Sequence, residues 1–295
     1  MSPRIQRALL LSILLGVPMA LAAEEIAPQA RTVLERYLQL PFPEKDPFGN
    51  ARIVRVNTLD ELKPFSDLAV REIARTLPGV TDPRQRMELA EALRLFQTRE
   101  SAAKLSELLG DPNEKVRWQA IVGLGMMAGR VVRLGAQSVQ RGGGVAPKVE
   151  GLVPQLIKAA GDENPGNRTA ALSALADTLD PAAIAEIRRR LKDENAEVRF
   201  EAACLLTGFQ DASGLGELQK ALARLRSEPE SNLLVMIRTE RLLVSFERIT
   251  GKSFGPIPME PWASSQSGAE EEAKPLYKQL LDAWAAWWAW EPTAK

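Results

Sequence analysis

The sequence predicts an all-α fold: an α-solenoid of stacked helical hairpins with a capping segment at each end. Three observations lead there. Alanine and leucine dominate the apolar residues while only 5% of the chain is aromatic, a balance that favours helix over sheet. Apolar residues recur three, four and seven positions apart, which places them on one helix face. The chain also repeats itself, and internal repetition of this length is the mark of a stacked array.

The repeat is read from three segments. Asp111 precedes Arg117, Asp162 precedes Arg168 and Asp193 precedes Arg199, each by six positions. Three positions beyond each Arg stands Ala120, Ala171 or Ala202, and seven beyond it Leu124, Leu175 or Leu206. An upstream unit fits more loosely, with Asp82, Arg86, Leu89 and Leu93. The four arginines are spaced 31, 51 and 31 residues apart, so the middle interval is one repeat plus a 20-residue insertion that includes Gly142-Gly143-Gly144. Asp82-Pro83-Arg84-Gln85 and Asp111-Pro112-Asn113-Glu114 each place a capping Asp before a Pro at the first helical position, with Gln or Glu at the capping-box position. Each repeat therefore reads as helix, tight turn, helix. One such hairpin cannot bury its apolar face alone, but stacked neighbours can.

These residues, Asp111…Val116-Arg117…Ala120…Leu124 and Asp193…Val198-Arg199…Ala202…Leu206, resemble short HEAT repeats of the bacterial type, related to the HEAT-like repeats of phycobilin lyases. The resemblance covers residues 66–210 well and 211–250 weakly. It implies fold more than function, because such arrays bind very different partners. It also implies that the Asp and Arg residues act as joints within and between hairpins. An anion site built from Arg117, Arg168 and Arg199 is the competing reading.

The ends depart from the repeat. Arg4 and Arg7 precede an apolar run from Ala8 to Val17, and Ala20-Leu21-Ala22 follows, the pattern of a cleaved secretory signal over 1–22. The run is too short to span a bilayer, so no transmembrane anchor is expected after cleavage, and the expected location is the periplasm or the extracellular space. Residues 23–65 form an N-terminal capping segment, with a helix over Ala27–Leu40 and a capping box at Thr58–Glu61. The array occupies 66–250, with its insertion near 131–150, and includes a longer hairpin from Leu215 to Ile249. Residues 251–295 supply a linker, a mobile Ser, Gly and Glu-rich loop over 264–272, and a Trp-rich helix. The turn Thr250-Gly251-Lys252-Ser253-Phe254-Gly255 together with that helix is similar to the ends of exported bacterial HEAT proteins.

Charge and composition exclude several function classes. The 38 basic and 38 acidic residues balance, without the basic stripe of a nucleic-acid binder. With no histidine and one cysteine, the usual nucleophile–base pairs are unavailable, and no Asp-rich calcium loop is visible. No catalytic residue, metal or cofactor is expected. Cys204, among Ala202, Ala203 and Leu206, reads as a helix-packing residue. The glycines around Gly142 lack the ending of a phosphate loop and read as a flexible insertion.

Function is therefore expected on a surface. The resemblance implies that the residue following each Arg, and those one turn on, face the concave side. These are Met87, Trp118, Thr169 and Phe200, then Glu91, Val122, Ser173 and Cys204. Large apolar groups at Met87, Trp118, Val122 and Phe200 nominate a groove for a peptide or helix; the competing reading has other segments packed over them. At the C-terminus, Trp284, Trp287 and Trp288 share one face and suit a cap on the last hairpin. Alternatively, Trp287, Trp288 and Trp290 form a partly exposed aromatic patch that engages a partner, a sugar polymer or a membrane surface. The expectation is a non-catalytic scaffold for another envelope protein or peptide. Handling of a small molecule, as in the lyases, and an envelope-structural role through the terminal tryptophans are the alternatives.

Overall fold

A computed structural model describes residues 28, 31–37, 39, 66–141, 151–227, 233–258 and 269–290, and all regular structure within them is helical. The expected signal segment 1–22, the capping box at Thr58–Glu61 and the Gly142–Gly144 run lie outside the described residues. Among the described residues no helix is long and apolar enough to cross a membrane. The chain divides into two compact units, Met1–Ala159 and Ala160–Lys295.

In the first unit, a helical stretch over 31–37 buries Leu34 and Tyr37. Its Arg31 Nε donates to Glu72 of α1 (Ser66–Thr76) at 3.1 Å. Helix α2 (Pro83–Phe96) starts at Asp82, whose side chain accepts the Arg84 backbone N–H, with Pro83 in the first turn as expected. Helix α3 (Arg99–Leu108) begins with a reciprocal Thr98–Ser101 capping box. Helix α4 spans Glu114–Arg141 and α5 Leu152–Ala159. Helices α2 and α4 pack side by side with α3 across both, and α1 covers α2 and α3. The crossing is tight at Gly123, where a Cβ would stand 2.8 Å from Leu105. The interruption expected near 131–150 starts as helix, because α4 runs unbroken to Arg141.

The second unit contains α6 (Pro165–Ala176), α7 (Pro181–Arg189), α8 (Ala196–Thr207), α9 (Leu215–Ser227), α10 (Leu233–Thr250) and α11 (Ala269–Trp290). Helices α6, α8 and α10 form one layer, α7 and α9 the other, and α11 packs on both α9 and α10. Between α8 and α9 the 3-10 turn Ala212–Gly214 lies directly on α8; a Cβ on Gly214 would stand 2.6 Å from the Ala203 Cα. The Ser, Gly and Glu-rich segment expected as a loop to residue 272 ends earlier, since α11 already begins at Ala269.

The repeat residues are the joints of both units. In each unit of the repeat the Arg Nη1 donates to two carbonyls of the turn before its own helix. Arg86 reaches Val80 and Thr81, Arg117 reaches Asp111 and Pro112, Arg168 reaches Asp162 and Glu163, and Arg199 reaches Asp193 and Glu194. These carbonyls would otherwise lack donors at a helix entrance. Three of the same guanidinium groups then grip an acid of the next hairpin: Arg86 pairs with Asp111 at 2.9 Å, Arg168 with Asp193 at 2.8 Å and Arg199 with Glu217 at 3.1 Å. The Asp is not the helix cap expected at 111. Asp111, Asp162 and Asp193 each accept the N–H two residues on, while Asn113, Asn164 and Asn195 cap the helices. One residue type ties the turn and the next caps the helix.

Candidate functional site

The open feature of the second unit is a groove across the layer of α6, α8 and α10. Its volume is about 380 Å³, within the range of small-molecule sites. Its apolar walls come from Leu179 after α6, Leu205 and Phe209 at the end of α8, and Val244 of α10. Leu179 is 57% exposed and holds a left-handed φ of 55°. Such a conformation costs a β-carbon-bearing residue on the order of 1 kcal/mol. The tight turn between α6 and α7 thus holds an isobutyl group out over the groove.

Ion pairs join α10 to α8 beside the groove, and Arg241 also lines it. Arg238 pairs with Glu197 of α8 at 2.9 Å, and one turn on Arg241 pairs with Glu201 at 2.5 Å. Glu201 also accepts the Ser173 hydroxyl of α6 at 2.9 Å, so one carboxylate links three neighbouring helices. Two turns further along α10 stands Arg248, exposed at the groove edge and opposite Gly208. Its guanidinium makes no ion pair among the described residues. Asp177 and Glu240 line the groove as well; Glu240 lies beside the Tyr277 hydroxyl of α11, which donates to the Pro258 carbonyl at 2.6 Å. Cys204 lies at the floor, and burial pushes its thiol up to about 12 against the opposing pull of Arg241 and a Ser245 hydrogen bond. A thiol so held is protonated and a poor nucleophile at neutral pH. Among the described residues no group of three acidic, Cys or His side chains is placed to hold a metal.

The residues nominated from sequence are dispersed. Trp118 of α4 is 41% exposed and Met126, two turns on, is also exposed. Met87 and Val122 are half-buried on α2 and α4 of the first unit, and Thr169 is half-buried on α6 of the second. Phe200 is not on an open face: it is 5% exposed and packs in the core with residues of α9, α10 and α11. The covering elements are therefore the C-terminal helices. The terminal tryptophans divide between cap and surface. Trp284 and Trp287 are buried, with Trp284 in contact with Phe246, Phe254 and Trp287 at ring separations of 4.9, 4.9 and 5.5 Å. Trp288 packs half-buried against this cluster, and Trp290 stands out at 77% exposure. The cluster caps the last hairpin because α10 and α11 both turn aromatic faces into one core.

The groove lies along the nominated helix face at Cys204, then continues one turn beyond it to Gly208. Leu179, Phe209, Arg241 and Arg248 went unnoticed in sequence because they stand outside the repeat signature. A hydrophobic residue immediately after a helix end, at Leu179 and Phe209, was the one signal available.

Stacked hairpins joined by Arg–acid pairs define a helical-repeat protein. Residues 150–234 match the family described as HEAT repeats, which places HEAT repeats in that stretch of the chain. Among solved structures the chain is similar to human deoxyhypusine hydroxylase in complex with glycerol, at 18% identity over 87% of this chain and 98% of that one, with a TM-score of 0.24. No curated protein matches the chain.

Proposed function

We propose that this protein is a non-catalytic binding scaffold of the cell envelope that holds an extended segment of a partner protein in the groove of its second unit. The groove itself carries the reading: apolar walls from three successive hairpins, Leu179, Leu205, Phe209 and Val244, frame a trough with one unmatched cation at its edge. Side chains at alternate positions of an extended peptide would fill such walls, and polar groups at the rim would fix its register. The leader-like residues 1–22 support an exported setting. The high thiol pKa of Cys204 favours binding over chemistry at the floor.

The test is retention of a displayed library of internal octapeptides on the immobilised full chain. Enrichment of apolar sequences, reduced at least tenfold by Phe209→Ala with the melting temperature preserved, is the expected result. No enrichment, or enrichment that Phe209→Ala leaves intact, overturns the assignment of this groove. Turnover of a small molecule by the purified protein would instead favour the lyase-like alternative.

A further inference from the structure

The α8–α10 interface is a charge ladder with a rung missing. The two helices run in the same direction, so that Glu197 faces Arg238 and Glu201 faces Arg241. Two turns further on, past Leu205 and Val244, α10 presents Arg248 and α8 presents Gly208. The Arg248 Nη1 lies 3.7 Å from the point a Gly208 Cβ would occupy. At that level α8 offers the cation no side chain, only the Leu205 carbonyl oxygen, 3.1 Å from the same point. The space left by the absent side chain belongs to the groove, whose lining includes both residues.

Nearby acids do not fill the position. Glu201 is held by Arg241 and Ser173, and Glu247 accepts the Ser253 hydroxyl; of the acids that line the groove, neither Asp177 nor Glu240 forms an ion pair with Arg248 among the described residues. Beside the cation, Leu205, Phe209 and Val244 supply apolar surface.

We infer that Arg248 is a specificity residue of the groove and takes the carboxylate of an Asp or Glu side chain, set within an apolar segment of the partner, at the position left open by Gly208. This rests on the groove being the binding site. A guanidinium offers paired donors that match a carboxylate's two oxygens, and apolar walls beside the pair raise its discrimination against a neutral isostere. The partner's acid would complete the ladder after Glu197 and Glu201.

The experiment uses the full chain and two displayed libraries of apolar octapeptides, internal to the display protein so that no free terminus is offered, identical except for Glu or Gln at one fixed position. The wild type is expected to retain the Glu library about tenfold better. In Arg248→Gln that preference disappears and the two libraries are retained equally; Arg248 is exposed, and an unchanged melting temperature would establish that the variant folds. Equal retention of both libraries by the wild type overturns the inference and leaves the groove reading standing. Retention of neither library overturns both.

Discussion

Replacing Arg168 with methionine removes a joint while preserving much of its apolar stem. The Arg168 and Asp193 side chains are 6% and 4% exposed. The variant strips Asp193 of its 2.8 Å partner and the Asp162 and Glu163 carbonyls of their donor. Breaking one side of a buried pair costs roughly 3–5 kcal/mol. Asp193 keeps the Asn195 backbone N–H and the Arg190 guanidinium at 3.5 Å, so the low end, about 3 kcal/mol, is expected. For a domain of this size that corresponds to a fall in melting temperature of roughly 6–12 °C. Circular dichroism melts and urea titrations of Arg168→Met, Asp193→Asn and the double variant measure it. The cycle should show the second substitution costing much less once the first is present. Peptide retention by the folded variant should not change. A loss under 1 kcal/mol, or strict additivity, would refute the view that these residues are the joints of the array.

Three further outcomes follow from the same structure. Gly214→Ala drives a Cβ to 2.6 Å from the backbone of α8 and should cost about 1–3 kcal/mol, read as a lowered urea midpoint; a neutral effect would contradict the close approach of the turn to α8. Burial works to raise the Asp193, Asp211 and Glu217 carboxyls, but hydrogen bonds and cations outweigh it and hold all three below their ordinary values. Stability from depressed carboxyls is complete above the usual carboxylate range and lost as pH falls through the folded values. The urea midpoint should therefore stay level from about pH 7 to pH 5 and drop below about pH 4; a drop between pH 7 and pH 5 would contradict this. Leu179→Gly relieves a left-handed φ of 55° and should leave stability equal or higher by up to about 1 kcal/mol, while lowering peptide retention. Lower stability with unchanged retention would remove Leu179 from the groove wall.

The short-range features were legible in the chain because local geometry determines them. Six residues from Asp to Arg let a guanidinium reach back over its own turn, and the Ala and Leu spacing put one face of each helix inside. The same local pattern misassigned the cap at residue 111, since Asp and Asn both cap helices and only the folded turn shows Asn113 at that post.

What tertiary structure decided were the relations between helices far apart in sequence. Nothing local distinguishes Phe200 from Trp118, each immediately after a repeat Arg; yet the first is buried by the terminal helices and the second is exposed. Nor does the chain reveal that Gly208 and Arg248, 40 residues apart, stand opposite one another. The sequence alone determined that this protein is a stack of helical hairpins, because that follows from period and spacing, while the residues that join them were indicated by the resemblance to HEAT repeats. Where the stack is left open, and which charge is left unmatched there, was decided only when α10 packed against α8 and α11 closed over α9 and α10, because burial and pairing are properties of surfaces that meet.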